Sequence, residues 1–143
     1  LLLTGDGEVL DSIGFAYADD EVHSGRFAEV ERQLRAYFEG GLREFSLPHT
    51  DRGTPFQRAV WAAVDAIPYG ETISYGELAA RVGAPRDRIR AVAAAVGANP
   101  LLVVRPCHRV IGADGTLTGY AGGVPRKRAL LVHEGALQPE LVS

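Results

Sequence analysis

The chain has 143 residues, 46% hydrophobic and 23% charged, with a formal net charge of −3. That is enough for one domain of ordinary size, or two small lobes on a shared core, in a composition typical of soluble globular proteins. It excludes a membrane-spanning helix, which needs about 20 apolar residues in a row, and its single cysteine, Cys107, excludes an internal disulfide and a thiolate zinc site while fitting a reducing compartment.

The opening stretch LLLTGDGEVL lacks the basic region and cleavage site of a secretory leader, and without an initiator Met it is expected to begin inside a longer chain. Residues 1–18 read as strands, with Gly5 and Gly7 marking a turn before the β-rich EVLDSIGFAYA. RFAEVERQLRAYFEG predicts a helix, with Phe27, Val30, Leu34, Tyr37 and Phe38 at helical spacing and Gly40 and Gly41 to stop it. After the connector SLPHTDRG, Thr54 is a suitable N-cap and Pro55 suits a first turn. Phe56, Val60, Trp61, Val64 and Ile67 then form an apolar stripe, ended by Pro68 and Gly70, with Trp61 read as packing.

In TISYGELAARVGAPRDRIRAVAAAVGANP, Ser74 and Glu77 make a capping box for a helix running to about Val82. A turn at GAP leads to an alanine-rich helix over about 86–97, closed by Gly97, Asn99 and Pro100, so the pair reads as helix-turn-helix. Next come LLVV as a buried strand, a break at Pro106, a short strand RVI, a turn at GADG and a glycine-rich loop. VPRKRALLVHEG predicts a last helix with Leu130, Leu131 and Val132 facing inward.

Charge is distributed unevenly. Residues 1–53 carry 11 acids and 5 bases, whereas residues 54–143 carry 7 acids and 10 bases. Between 81 and 109, Arg81, Arg86, Arg88, Arg90, Arg105 and Arg109 face one acid, Asp87. This predicts a basic working face on an acidic support, and the small residues after Arg86, Arg88 and Arg90 would let that helix approach a DNA groove.

The chemistry gathers at PCHRV. Pro106 removes an N–H and fixes φ, placing Cys107 at a defined exit from the apolar run. A buried thiol ionises only if something takes its proton. His108 is adjacent, but neighbours on a strand point to opposite faces, so a water between them would serve where a direct bond does not form. A histidine base needs a third group to orient it, for which Glu134 and Glu77 are the candidates.

PCHRV resembles the active-site motif of the O6-alkylguanine-DNA alkyltransferases. GETISYGELA, RAV, NP, PCHRVIG, GTLTGYAGG and KRALLVHE follow in that family's order and spacing, most closely over residues 54–135. The chain is similar to the bacterial single-function (Ogt-like) form rather than the bifunctional one with an extra regulatory domain. The resemblance implies an α+β fold. A small N-terminal sheet-and-helix lobe (1–50) would precede a mostly helical, winged helix-turn-helix-like domain (51–143) with short parallel or irregular strands. It also implies that the N-terminal lobe is cut within its first strand.

The implied activity is direct-reversal DNA repair. The alkyl group of O6-alkylguanine, and secondarily O4-alkylthymine, would move irreversibly to Cys107 after the nucleotide flips out of the duplex. His108, through a water, would take the thiol proton, with Glu134 polarising it. Tyr75 would donate to guanine N3. Arg90 would fill the gap in the duplex, with Ala91, Arg86, Arg88 and Ser74 also at the DNA. Tyr120, Ala121, Gly122, Gly123, Arg109 and Val110 would line the pocket. Asn99 would tie the DNA-reading helix to the cysteine loop. No cofactor or metal is required, and the thioether product means one alkyl group per chain. The partner would be double-stranded DNA carrying alkylated bases and not a membrane. The protein would be a cytoplasmic monomer, nucleoid-associated when bound, with cooperative binding along DNA compatible with that state.

Two substitutions depart from the family pattern. Arg105 stands where an aliphatic residue is usual and must reach solvent, a phosphate or an acid, because a buried unpaired charge is costly. Ala93 replaces a usual glycine, which bears on how closely its helix packs. Three rival functions are a lesion sensor without catalysis, a cysteine hydrolase and a sequence-specific regulator. The first lacks an acceptor cysteine, the second turns over acyl substrates, and the third is indifferent to lesions.

Overall fold

A computed structural model of the chain describes residues 2–5, 10–14, 28–47 and 52–138. Strands β1 (Leu2–Gly5) and β2 (Leu10–Gly14) pair antiparallel, Leu3 opposite Ile13, with an irregularity between Thr4 and Gly5. The rest of the predicted second strand, Gly7 and Phe27 lie outside the described residues. Helix α1 (Ala28–Phe38) has Glu29 and Glu31 in its first turn and Arg35 in its last, complementing the helix dipole. Val30, Leu34 and Tyr37 are buried at i, i+4 and i+7, but Phe38 is 47% exposed, so the inward stripe is narrower than predicted. Gln33 is buried instead: its amide donates to the Ser46 carbonyl and accepts from Ser46 N, holding the segment after the helix against α1.

Helix α2 (Pro55–Asp65) starts as the sequence dictates. Thr54 Oγ1 accepts from Gln57 N at 3.1 Å and Gln57 Oε1 accepts from Thr54 N at 2.9 Å, a reciprocal capping box with Pro55 in the first turn. Val60, Trp61, Val64 and Ile67 are buried, while Phe56, at the outer end of the stripe, is 37% exposed. Trp61 packs as expected, with Nε1 donating to the Ala95 carbonyl at 2.8 Å.

Strand β3 (Ile73–Ser74) leads directly into α3 (Tyr75–Arg81), and Ser74 Oγ caps it by accepting from Glu77 N. The Ser74 half of the predicted box forms, while the Glu77 side chain is exposed. A short turn and a 3-10 stretch (Arg86–Arg88) precede α4 (Ile89–Gly97). Helix α4 packs through Val92, Ala95 and Val96 on α2 and α3, completing the helix-turn-helix.

LLVV is buried but is not a strand. Arg105 N bonds the Leu101 carbonyl, Val104 N bonds the Leu102 carbonyl, and Val103 sits at φ 72°. The apolar run folds as a tight turn because Asn99 Oδ1 takes Leu101 N and starts the reversal. Next, Cys107–Arg109 form a 3-10 turn, and β4 (Val110–Ile111) pairs parallel to β3, with Val110 opposite Ile73. Helix α5 (Val124–His133) buries Leu130 and Leu131 and leaves Val132 half-buried. The architecture is α+β, with two small two-stranded sheets among five α-helices in the described residues.

Candidate active site

The parallel β3–β4 pair brings the start of α3 beside the end of the cysteine turn, and α5 closes over both. Cys107 is 4% exposed. Its Sγ accepts from Asn99 Nδ2 at 3.1 Å, and the same amide lies 3.3 Å from the Arg105 carbonyl and 3.4 Å from that of Leu101. Asn99 stands just past the Ala98 C-cap of α4, so one side chain joins the end of that helix to the thiol. Burial pushes the thiol pKa up; the Asn99 bond and the positive charges of Lys127 and Arg105 pull against it.

His108 is fully buried, and its Nε2 lies 2.9 Å from Glu134 Oε2. Burial lowers the imidazole pKa, against the pull of the carboxylate. Burial alone would raise the Glu134 pKa, but hydrogen bonds from His108, Arg109 and Tyr37 outweigh it and hold the carboxyl down to about 2. An ionised carboxylate only accepts, so neutral His108 carries its proton on Nε2. The Nδ1 lone pair is left as the base, and Nδ1 has no partner among the described residues. Of the two candidate orienting groups, Glu134 holds His108, and Glu77 is on the exposed face of α3.

Tyr75 begins α3. Its hydroxyl donates to the Thr118 carbonyl at 3.3 Å, and burial together with negative charge on Cys107 raises its pKa, so it remains a donor. Gly119, at φ +68°, lies against it: a Cβ there would stand 3.4 Å from the Tyr75 hydroxyl. Lys127 is fully buried, with Nζ donating to the carbonyls of Val110 (2.6 Å) and Thr118 (2.8 Å), 5.8 Å from the Tyr75 ring centroid. Burial pushes its pKa down to about 8. Tyr120 is buried edge-on to His108, ring centroids 6.5 Å apart.

The family model for 6-O-methylguanine DNA methyltransferase, DNA binding domain, matches residues 55–136. The chain belongs to the 6-O-methylguanine DNA methyltransferase family. A methylated-DNA–protein-cysteine methyltransferase of Mycobacterium bovis is 49% identical over 146 residues, covering 97% of this chain and 88% of that protein. One from Methanosarcina acetivorans is 44% identical, covering 95% and 92%. The crystal structure of Mycobacterium tuberculosis OGT in complex with DNA superposes with a TM-score of 0.84 at 48% identity, covering 94% of this chain and 85% of that one.

Within this methyltransferase fold, Arg88 and Arg90 are exposed at the start of α4, and Ala91 is half-buried beside them. Arg86 is in the preceding 3-10 stretch, and Ser74 is the N-cap of α3. Ala121 is exposed and Gly122 and Gly123 partly so, on the loop outside Tyr120.

Two residues expected to line the pocket have contacts of another kind. The Val110 side chain is fully buried between sheet and helix, leaving its carbonyl to Lys127. Arg109 turns inward, donating through Nε and Nη2 to the two Glu134 oxygens (2.8 and 2.9 Å) and through Nη1 to the Ile67 carbonyl (2.6 Å). It therefore orients Glu134, and its other side faces a cavity of about 500 Å3 shared with Arg43, Asp65 and Tyr69, whose lining does not include Cys107.

The basic face also loses two of its six predicted arginines, Arg105 as well as Arg109. Arg105 is 2% exposed, with Nε 3.2 Å from Asp65 Oδ1 and the guanidinium 5.0 Å from the Trp61 ring centroid, so pairing with an acid is how its charge is met. It binds the cysteine turn to α2. Arg105→Ala removes the buried guanidinium and its packing on Trp61, while Asp65 stays open to water; it is expected to destabilise the fold by about 1 kcal/mol or more, read as a lower midpoint in chemical denaturation.

Lys127 and Tyr37 join the site without having been expected there. Lys127 was legible: Lys127, Leu130, Leu131 and Glu134 fall at i, i+3, i+4 and i+7, so a lysine and a carboxylate share the inward stripe of one helix.

Proposed function

We propose that this chain repairs alkylated DNA by direct reversal, moving the alkyl group from O6 of guanine in a duplex to Cys107. The observation that carries the reading is the buried chain Asn99–Cys107 and His108–Glu134 set behind a helix-turn-helix with exposed arginines, in a chain of this family. O6 lies inside the base stack, so the nucleotide must be extruded, at a cost of a few kcal/mol. Arg90, exposed at the tip of α4, enters the duplex and offsets that cost, while Arg88 meets phosphate.

His108 Nδ1 accepts the Cys107 proton through a water. The thiolate attacks the alkyl carbon, the new C–S bond forms as the C–O bond breaks, and the electron pair withdraws into the guanine ring, which then takes up at N1 one proton, equal to the one the thiol gave up through His108. Tyr75 donates a hydrogen bond to N3 where that charge gathers, and Lys127 supports the thiolate electrostatically and holds the Val110 and Thr118 carbonyls beside Tyr75. The flipped base enters past Tyr120 and the loop at Ala121 and Gly122. The thioether product does not hydrolyse, so each chain reacts once, as a monomer. Such an acceptor needs a reducing compartment, and the cytoplasm is the location we assign.

The test is stoichiometry. Mixed with excess duplex containing O6-methylguanine, the protein should remove one methyl group per chain and stop; continued release of product, or turnover of an acyl ester, would oppose this reading. Arg90→Ala should slow repair of duplex about tenfold or more and scarcely affect reaction with the free modified base, as measured by quenched-flow transfer on both substrates.

A further inference from the structure

Glu134 receives a donor from an element that the reaction scheme above does not use. Tyr37, in the last turn of α1 and fully buried, donates its hydroxyl to Glu134 Oε2 at 2.6 Å across 97 residues of sequence. That oxygen also meets His108 Nε2 and Arg109 Nη2, each at 2.9 Å. The backbone of Tyr37 is held by the same helix end, because His133 Nε2 donates to the Tyr37 carbonyl at 2.7 Å. Its ring packs against His133 and Phe45, with centroids 4.9 and 5.3 Å away.

We propose that Tyr37 is a positioning residue for alkyl transfer, through which the N-terminal helix α1 sets the proton affinity and orientation of His108. The inference rests on the reading of His108 and Glu134 as the proton-accepting pair. The ring anchors α1, and a phenylalanine would do that equally well. The hydroxyl does something separate: a hydrogen bond to an ionised acceptor is short and strong, and here it divides the acceptor capacity of one carboxylate oxygen between Tyr37, Arg109 and His108. Without the hydroxyl, Oε2 concentrates on His108 Nε2–H. The imidazole then binds a proton more readily at Nδ1 and loses its free base at a higher pH.

The groups facing the pair are Arg109 from the cysteine turn, Lys127 from α5 and Tyr37 from α1, with Tyr69, Tyr120 and His133 around them. Burial, with Glu134 beside it, raises the Tyr37 pKa, so the phenol stays a donor across the working range.

The experiment is single-turnover methyl transfer by the full chain from O6-methylguanine duplex, measured against pH for wild type, Tyr37→Phe, His108→Gln and Glu134→Gln. Imidazole nitrogen shifts of His108 are followed by NMR in wild type and Tyr37→Phe. Tyr37→Phe is expected to slow transfer about tenfold at neutral pH and to move the acid limb of the profile and the His108 titration to higher pH, with affinity for undamaged duplex unchanged. A wild-type rate and titration in Tyr37→Phe, with the two glutamine variants slow, would overturn this inference alone. So would a loss that vanishes once rates are referred to the folded fraction. Wild-type rates in the glutamine variants would instead remove the proton-accepting pair on which it rests.

Discussion

Replacing Cys107 with alanine is expected to abolish methyl transfer while leaving affinity for O6-methylguanine duplex nearly unchanged. Sulfur is the acceptor the site is built around: it is polarizable, its thiolate is a strong nucleophile once His108 has taken the proton, and the thioether it forms is not cleaved by water. Fold and DNA face should survive, because Sγ makes one side-chain hydrogen bond, from Asn99, whose amide keeps the Arg105 and Leu101 carbonyls as partners. Cys107→Ser should be equally inert in transfer, since a hydroxyl at that position stays protonated. The check pairs transfer of labelled methyl from DNA with a binding measurement on the same duplex. Residual transfer by Cys107→Ala would place the acceptor elsewhere.

Glu134→Gln is expected to have the second largest effect, on both rate and stability. The introduced amide would turn an N–H toward the donors of Arg109, Tyr37 or His108, and the His108 tautomer would no longer be fixed. Transfer should fall about 100-fold, and stability by about 3 kcal/mol at neutral pH, because the buried Arg109 loses its counter-charge. The pH dependence follows from the sign of the shift. Glu134 lies at about 2 in the fold against an ordinary 4.5, so the folded state favours the carboxylate. Its contribution is complete above about pH 4.5 and drains away as the pH falls toward about 2. Urea denaturation at a series of pH values should therefore show wild type losing its advantage over Glu134→Gln across that acid window. A constant gap at every pH would contradict the assignment of charge.

How far these groups were legible follows from where each one's partners lie in the sequence. Thr54 with Pro55, and Ser74 before Glu77, declare helix starts because a capping oxygen needs only the next turn. The helix pair and its exposed Arg88 and Arg90 were readable for the same reason. LLVV departs from the expected strand because an apolar run is buried whether it is extended or turned. What decides is Asn99 folding back on Leu101, with β-branched Val103 forced to φ 72°, a conformation that local preference argues against.

Arg105 and Arg109 were assigned to a basic surface because charge counts carry no direction. Their partners, Asp65 and Glu134, stand 40 and 25 residues away in the chain. Tyr37 fits an apolar stripe so well that its hydroxyl passed unnoticed, although a buried phenol requires an acceptor, and that acceptor is at the far end of the chain.

The proposed repair comes down to alkyl transfer onto one sulfur atom. Intact mass spectrometry of the protein before and after mixing with O6-methylguanine duplex, followed by peptide fragmentation, tests it most directly. The prediction is a single species one methylene heavier, with the added mass on the peptide containing Cys107 and an unmodified guanine left in the DNA. An unchanged protein mass alongside repaired DNA, or added mass on any other residue, would contradict it.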